Sequence, residues 1–352
     1  MKRKLTILGA AVGVALAATA AALAGSNGPA GARRAAADQL VGAGSTFVSP
    51  LVSQWQADYE AKTGVNIVYS PIGSGGGIAA ITGRTVDFGA SDAPLTPDQF
   101  AACKSCVQIP WALSATSIAY NLPNVPNNLR MTGTVLASIY LGKIKKWNDA
   151  AIKKLNPRVN LTATDITPVY RSDGSGTTYN FTDYLATVSK EWKSKVGNST
   201  QVSFPTGVGA RGSSGVTGVV TRTEGALTYV DVAFALRNGL KFMSVQNSSG
   251  KFTTPGLRGI NAAAGTIKKV PANNEMHIVN PPKGDPRAYP ICTFTYVILP
   301  TKSDKASQLR RFVFYAVSPT QGQKLGPKLL FAPLPRVVLV AAEKTLKKVA
   351  SA

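Results

Sequence analysis

Short apolar, β-branched segments alternate with segments of helical periodicity along most of this 352-residue chain. The strand-like segments cover residues 65–69, 86–90, 107–111, 117–121, 167–171, 226–232 and 291–299. The helical patterns cover residues 50–63, 134–141, 178–185, 307–316 and 336–347. This alternation predicts an α/β fold with largely parallel sheets, because parallel strands need crossover connections of helix length. Residues 246–290 are rich in Gly, Pro, Asn and Ser, which indicates irregular loops.

The first residues have the composition of an export signal. Residues 2–4 are basic, residues 5–24 are rich in Ala, Leu and Val, and A-x-A cleavage signals end at residues 24 and 37. We therefore expect a signal peptide over residues 1–24, with cleavage as late as residue 37. An uncleaved transmembrane anchor is the alternative, but the high alanine content makes the run only weakly apolar. No cysteine lies near the cleavage signals, so we expect an extracytoplasmic protein, in the periplasm or outside the cell membrane, that is not a lipoprotein.

The charge balance and the scarcity of histidine exclude several classes of protein. The chain has 39 Lys and Arg residues against 17 Asp and Glu, a net charge of +22, and its one histidine is His277. A His-rich metal site is excluded, and a Ser-His-Asp triad would need His277. A basic chain can bind nucleic acid, yet no RNP1-like run, zinc-finger spacing or basic region before heptads is present. We expect no catalytic residues, no metal, no cofactor and no nucleic-acid partner.

The three cysteines are Cys103, Cys106 and Cys292, and the first two form a C-x-x-C motif. Export favours a structural disulfide between Cys103 and Cys106. A thioredoxin-like redox motif is the alternative, and a bridge from Cys292 to one of the other two stays open.

Three loops of small and hydroxyl-bearing residues stand directly before helical patterns. They cover residues 42–47 (GAGSTF), 73–77 (GSGGG) and 171–177 (RSDGSGT). A helix N-terminus offers unpaired backbone N–H groups and the positive end of the helix dipole, which together attract anions. Each loop alone is compatible with an ordinary Ser or Thr cap. Three such loops, one with an arginine, favour a tetrahedral oxyanion as the ligand.

Other phosphate-binding motifs do not match. Gly250 and Lys251 are followed by Phe252 rather than Ser or Thr, so a Walker A motif is absent. Residues 207–212 (GVGARG) match G-x-G-x-x-G, but the segment before them makes a poor strand, and we interpret them as a turn-rich loop. No G-x-S-x-G nucleophile elbow surrounds Ser74 or Ser175.

Longer motifs occur in a fixed order along the chain. They are GAGSTF (42–47), YSPIGSGGG (69–77), TVDFGASDAPLT (85–96), IYLGKIKKWND (139–149), RSDGSGTTYNFTDYL (171–185) and FAPLP (331–335). Together they closely resemble the phosphate-binding protein of the phosphate-specific ABC transporter, a family of periplasmic substrate-binding proteins. The resemblance implies two α/β lobes that close around one phosphate ion.

The resemblance also implies the residues that contact the phosphate. Asp92 matches the carboxylate that accepts a hydrogen bond from the ligand, and its alternative role is that of a helix cap or a turn residue before Pro94. Asp173 matches the residue that pairs with and orients the site arginine. The implied phosphate-binding residues are Thr46, Phe47 (backbone N–H), Ser74, Asp92, Arg171, Ser175, Gly176 (backbone N–H) and Thr177.

The expected architecture is a two-lobed periplasmic-binding-protein fold with the ligand site in the interlobe cleft. Lobe one is expected to contain residues 38–115 and 288–352, and lobe two residues 116–287, with crossover strands near 107–117 and 289–295. The implied function is capture of inorganic phosphate and its delivery to a membrane permease by a monomeric protein that is not an enzyme. Two alternatives stay open: a secreted phosphatase-like enzyme, which would need a nucleophile with a base or metals, and a basic surface module that binds an anionic polymer.

Overall fold

The computed structural model describes residues 39–281 and 285–352 of the chain. The predicted signal peptide, residues 1–24 with cleavage as late as residue 37, lies outside these ranges. Within them, no helix combines the length and the apolar character that a membrane crossing requires.

Nine strands form one sheet, in the order β2-β1-β3-β12-β4-β8-β6-β7, with β9 paired to β4; three short strands form a second sheet. The strands are β1 (Gln39–Gly44), β2 (Asn66–Ser70), β3 (Phe88–Ser91), β4 (Cys106–Tyr120), β5 (Arg130–Met131), β6 (Thr167–Arg171), β7 (Val208–Ala210), β8 (Ala226–Asp231), β9 (Lys241–Phe242), β10 (Ser244–Gln246), β11 (Phe252–Thr253) and β12 (Cys292–Pro300).

Helices follow most of the strands along the chain, and several of them pack against the main sheet. They are α1 (Ser49–Thr63), α2 (Ser74–Thr82), α3 (Pro97–Cys103), α4 (Gly133–Tyr140), α5 (Ala150–Leu155), α6 (Gly176–Val188), α7 (Lys190–Lys195), α8 (Gly212–Arg222), α9 (Val232–Arg237), α10 (Leu257–Ala264), α11 (Ala306–Val317) and α12 (Arg336–Leu346). Two short 3₁₀ turns, Gly322–Leu325 and Pro327–Leu329, precede the last helix.

The main sheet is mixed, so the prediction of largely parallel sheets is wrong for its centre. β1 is parallel to β2 and β3, and β6 is parallel to β7 and β8. By contrast, β12 is antiparallel to β3 and β4, and β4 is antiparallel to β8. The parallel strands at each side are joined through helices, whereas β4 and β12 carry the chain from one side to the other and back.

β4 is shared by the two sides of the sheet. Its first part pairs with β12 up to Ala115, and its second part pairs with β8 from Thr116 onward. The predicted strands 107–111 and 117–121 are therefore two parts of one 15-residue strand. We call the side built on β1, β2, β3 and β12 the first lobe, and the side built on β6, β7 and β8 the second. The predicted lobe boundaries at residues 115/116 and 287/288 stay a prediction, which the change of partner along β4 supports.

Helix α10 lies within residues 246–290, where the sequence indicated irregular loops. This prediction is wrong for residues 257–264, because Ile260, Ala263 and Ala264 are buried at helical spacing on one face. Packing against the sheet thus stabilises a short helix that its Gly- and Asn-containing sequence favours only weakly.

One hydrophobic core runs through both lobes and fixes the loops at the sheet's edge. In the first lobe Trp55 packs on Trp111 with a ring-centroid distance of 5.0 Å. In the second lobe Phe181 stacks on Tyr229 at 4.4 Å. All four side chains are fully buried and belong to one continuous cluster. Burial of each such ring contributes about 2–3 kcal/mol, so the elements that end at the cleft are held rigidly.

Candidate anion-binding site

The three glycine- and hydroxyl-rich segments meet between the lobes. The backbone N–H of Gly75 donates to the carbonyl oxygen of Gly174 at 2.9 Å. The N–H of Gly176 donates to Oγ of Ser74 at 3.0 Å. These contacts join loops 73–77 and 171–177 across the cleft, so the structure describes the two lobes in a closed arrangement.

The first and third segments connect the end of a strand to the start of a helix, whereas residues 74–77 of the second form the first turn of α2. The prediction of a loop over residues 73–77 is therefore wrong for residues 74–77. Residues 42–44 belong to β1 rather than to a loop, which corrects the sequence interpretation. Gly44 ends this strand at φ 142°, where a Cβ atom would lie 2.1 Å from the carbonyl oxygen of Ala90, so only glycine fits. In the third segment Oγ of Ser175 accepts a hydrogen bond from the N–H of Thr178 at 3.2 Å and caps α6.

Glycines let the backbones of the two lobes approach closely. A Cβ atom on Gly176 would lie 2.7 Å from Cα of Asp92. A Cβ atom on Gly73, at φ 92°, would lie 2.4 Å from Oδ2 of Asp173. Larger side chains at either position would hold the cleft open, because real Cβ contacts are longer than 3.0 Å.

Arg171 and Asp173 form a bidentate ion pair inside the cleft. Nε and Nη2 of Arg171 donate to the two carboxylate oxygens of Asp173 at 2.7 and 2.5 Å. Burial disfavours the charged carboxylate, but the hydrogen bonds and charge of Arg171 and the N–H of Gly212 outweigh it and hold the pKa of Asp173 below its usual value. A guanidinium has five N–H donors, and Asp173 occupies two. The arginine is thus fixed in orientation and keeps donors for a ligand.

Asp92 is buried directly after β3, facing the second lobe. Its side chain accepts hydrogen bonds from the hydroxyls of Ser45 and, at 3.3 Å, of Ser74. Burial raises the pKa of Asp92 to about 6. The two hydroxyls and the positive charge of Arg171 act in the opposite direction and limit the rise. The carboxyl therefore acts as a pure acceptor above this pKa and carries a proton below it.

Thr177 lies in the first turn of α6, next to Gly176. Its Oγ1 is buried and finds no hydrogen-bond partner among residues 39–281 and 285–352. A buried hydroxyl without a partner costs about 1–3 kcal/mol. An anion held at this helix end would satisfy it, since the positive end of the helix dipole favours an anion there.

The structure brings together residues from all three predicted loops and Asp92. Thr46, Ser74, Asp92, Arg171, Ser175 and Thr177 are all buried, as is the Phe47 side chain, and Gly176 contacts Ser74. Their contacts with phosphate stay a prediction. Ser45 is not among the phosphate-binding residues that the resemblance implies, yet its hydroxyl contacts Asp92.

A fourth segment, residues 207–213, also borders the cleft, and the sequence interpretation of GVGARG as a turn-rich loop is wrong. The strand β7 (Val208–Ala210) pairs with β6, and α8 begins at Gly212. The N–H of Gly212 donates to Asp173 Oδ1 at 3.0 Å, and Ser213 contacts Thr46. The G-x-G-x-x-G motif of residues 207–212, followed by the hydroxyl-bearing Ser213, was the signal that could have indicated this junction of strand, turn and helix.

A second buried carboxyl, Asp231, gave no recognisable sequence signal. It ends β8, accepts a hydrogen bond from the N–H of Ala233 at 2.9 Å and from Ser114 Oγ at 3.2 Å. Burial raises the pKa of Asp231 well above its usual value. This carboxyl caps α9 and links it to β4, so its role in the described contacts is structural.

The arrangement does not assemble a hydrolytic centre within the described ranges. His277 pairs with Asp183 on the surface, and the hydrogen bond that its imidazole donates to the Asp183 carboxylate raises the pKa of His277. The hydroxyl of Ser74 donates to the Asp92 carboxylate, and the hydroxyl of Ser175 accepts from the N–H of Thr178. In the part of the chain that the structure covers, no group of three or more His, Cys, Asp or Glu residues could hold a metal ion.

The cysteines lie away from these loops. The structure joins Cys103 to Cys106 by a disulfide bond, while Cys292 is a buried free thiol. The guanidinium of Arg84 contacts both sulfur atoms of the bridge. The bridge closes the connection between α3 and β4 at the far end of the shared strand.

Comparison with known proteins identifies the family of this chain. The model of the PBP superfamily domain matches residues 29–320. The phosphate-binding protein PstS of Xylella fastidiosa strain Temecula1 is 41% identical over 314 residues, which cover 89% of this chain and 86% of that protein. The PstS protein of Pasteurella multocida is 38% identical and covers 86% of this chain and 88% of its own length.

Solved structures show the same fold. A phosphate-binding protein from Stenotrophomonas maltophilia superposes with a TM-score of 0.70 at 19% identity, over 87% of this chain and 93% of that one. PfluDING, a high-affinity periplasmic phosphate-binding protein bound with phosphate, gives a TM-score of 0.70 at 21% identity, with the same coverage. The two-lobed fold predicted from the sequence is confirmed. The chain belongs to the PBP superfamily and, within it, to the family of PstS phosphate-binding proteins.

Proposed function

We propose that this chain is an extracytoplasmic binding protein that captures one inorganic phosphate ion between its lobes and delivers it to the permease of an ABC transporter. The observation that carries the proposal is the buried hydroxyl of Thr177 at the N-terminus of α6, which has no hydrogen-bond partner among the described residues and lies in the same segment as the buried, oriented Arg171. A helix end, a guanidinium and a free hydroxyl together suit an oxyanion with several acceptor oxygens.

The proposed ligand contacts come from both lobes. Arg171 supplies the one full positive charge, and Asp173 keeps its guanidinium in place. The hydroxyls of the site and the N–H groups at the starts of the helices supply neutral donors. The proposed phosphate-binding residues are Thr46, Phe47 (backbone N–H), Ser74, Asp92, Arg171, Ser175, Gly176 (backbone N–H) and Thr177.

Ser74 and Gly176 contact each other across the closed cleft, and both are proposed phosphate donors. Phosphate would take both groups as partners and bridge the lobes through its own oxygens. Since its oxygens contact groups on each side, phosphate binds the closed state more tightly than the open one and shifts the equilibrium toward closure. The closed form is the one that a permease would recognise.

The names of the relatives support the same function. The Xylella and Pasteurella proteins are named phosphate-binding proteins, and PfluDING is described as periplasmic and bound with phosphate. These are names of binding proteins, which supports a role without catalysis. We further propose that the protein acts as a monomer and is exported through residues 1–24.

Calorimetric titration of the phosphate-stripped mature protein tests the proposal. We expect one phosphate per chain with Kd of about 1 µM or lower, which corresponds to about −8 kcal/mol. Arsenate, with the same shape and protonation, should compete. The absence of both heat and a thermal shift in millimolar phosphate would end this proposal, and release of phosphate from a chromogenic ester would favour the phosphatase alternative.

A further inference from the structure

The junction between β7 and α8 contacts the first lobe although it belongs to the second. Oγ of Ser213 lies 2.8 Å from Oγ1 of Thr46. The backbone N–H of Ser213 donates to the same Thr46 oxygen at 3.3 Å. Ser213 is fully buried and Thr46 is 6% exposed, so water does not compete for these hydrogen bonds.

Hydrogen-bond accounting leaves two directions for the contact between the hydroxyls of Ser213 and Thr46, since either can donate to the other. A hydroxyl oxygen accepts up to two hydrogen bonds and donates one. When the N–H and the O–H of Ser213 both donate to Thr46, they fill its acceptor positions. The proton of Thr46 must then point to a third partner, and an anion in the cleft is an acceptor for it.

The neighbouring Gly212 connects the same junction to the arginine. Its N–H donates to Oδ1 of Asp173 at 3.0 Å, and this is the oxygen that accepts from Nε of Arg171 at 2.7 Å. Gly212 adopts φ 70°, a left-handed conformation that favours glycine. The adjacent residues Gly212 and Ser213 thus connect the Arg171–Asp173 pair to Thr46 through one short segment of backbone.

We propose that Ser213 is a positioning residue that fixes the Thr46 hydroxyl as a donor to phosphate and holds the two lobes together in the closed state. This proposal rests on the proposed function. Because the Ser213–Thr46 contact joins the two lobes, its loss acts after the ligand has entered. It therefore accelerates the departure of phosphate and leaves its arrival nearly unchanged.

The test compares Ser213→Ala with Ser214→Ala, a matched change at the next residue, which is exposed. Radiolabelled phosphate bound to the mature protein is chased with excess unlabelled phosphate, and association is followed separately by rapid filtration. For Ser213→Ala we expect dissociation about tenfold faster, equivalent to about 1.4 kcal/mol, with association changed less than about twofold. Ser214→Ala should match the wild type in both rates.

Thr46→Val separates positioning from a general effect on packing. If Ser213 acts through the Thr46 hydroxyl, Ser213→Ala adds no further acceleration in the Thr46→Val background. The thermal midpoint of the phosphate-free Ser213→Ala protein should equal that of Ser214→Ala, which shows that the fold is intact.

Three results would overturn the proposal: equal dissociation rates for Ser213→Ala and Ser214→Ala, additive effects of Ser213→Ala and Thr46→Val, or a loss in association alone. In each of these the wild type still retains phosphate, so the proposed function stands. A wild-type protein that retains no phosphate would instead refute both the function and this inference.

Discussion

Replacement of Asp92 by asparagine should change the choice between phosphate and sulfate. Phosphate near neutral pH keeps at least one proton, whereas sulfate keeps none. An ionised carboxylate can only accept, so it pairs with the protonated phosphate oxygen and opposes a bare sulfate oxygen. Asp92 is 1% exposed, so water cannot relieve this opposition. In Asp92→Asn the amide donates, and sulfate gains relative to phosphate.

The size of the discrimination against sulfate follows from the burial of Asp92 and from the pKa of its carboxyl. An unpaired buried polar group costs about 1–3 kcal/mol, and more when it is charged, so wild-type discrimination against sulfate at pH 8 should exceed about tenfold. The pKa of Asp92 is raised to about 6. At pH 8 the free carboxyl is almost fully ionised, and at pH 5 about 90% of it is protonated and able to donate. Discrimination should therefore weaken as the pH falls from 8 to 5.

Competition titrations of phosphate against sulfate at pH 5, 6, 7 and 8 measure this ratio in both proteins. The wild-type ratio of sulfate Kd to phosphate Kd should rise with pH, and the ratio for Asp92→Asn should be lower at pH 8 and change less with pH. Wild-type protein that binds sulfate within about tenfold of phosphate at pH 8 would remove Asp92 from this role. A pH dependence as steep in Asp92→Asn as in the wild type would assign the titration to phosphate itself or to another group of the protein.

Four further outcomes are expected. Arg171→Ala should weaken phosphate binding by about 3–5 kcal/mol in calorimetry, because it removes the site's cation and leaves the Asp173 carboxylate without its ion-pair partner. If this variant binds phosphate with wild-type affinity, the assignment of residues 171–177 to the phosphate site is wrong. Asp173→Asn should weaken binding less, since Arg171 keeps its charge. Thr177→Val should weaken binding by about 1–2 kcal/mol without lowering the thermal midpoint of the phosphate-free protein, because its hydroxyl has no partner in the described residues. Alkylation of denatured, unreduced protein should label only Cys292 by mass spectrometry, and three labelled thiols would exclude the disulfide.

The parts of the site that lie within one short segment were predictable from the sequence. The arginine, the capping serine and the glycine that begins α6 stand within residues 171–177, and local geometry alone brings them to one helix end. The function of Asp92 was predicted only through the family resemblance. Simple electrostatics disfavours a carboxylate beside an anion. The Asp92 carboxylate favours binding only because the phosphate ligand carries a proton that it can accept.

The parts that depend on long-range pairing were not predictable. Strand direction in the sheet centre depends on which strands β4 and β12 meet, and hydrophobic periodicity carries no such information. Helix α8 contains three glycines among its first seven residues, so its propensity is low and burial of Val216 and Val220 stabilises it instead. The partnership of Ser213 with Thr46 spans 167 positions of sequence, which no local pattern can indicate.

The shared strand Cys106–Tyr120 has a consequence for how this protein loses its structure. Neither lobe has a complete sheet of its own, because removal of one lobe leaves one edge of the β4 backbone without its hydrogen-bond partners. The fully buried aromatic side chains of both lobes also belong to one cluster. Heating should therefore melt the whole mature protein in a single calorimetric transition, and either lobe expressed alone should aggregate along its bare strand edge. Two separate heat-absorption peaks would show that each lobe is an independent folding unit.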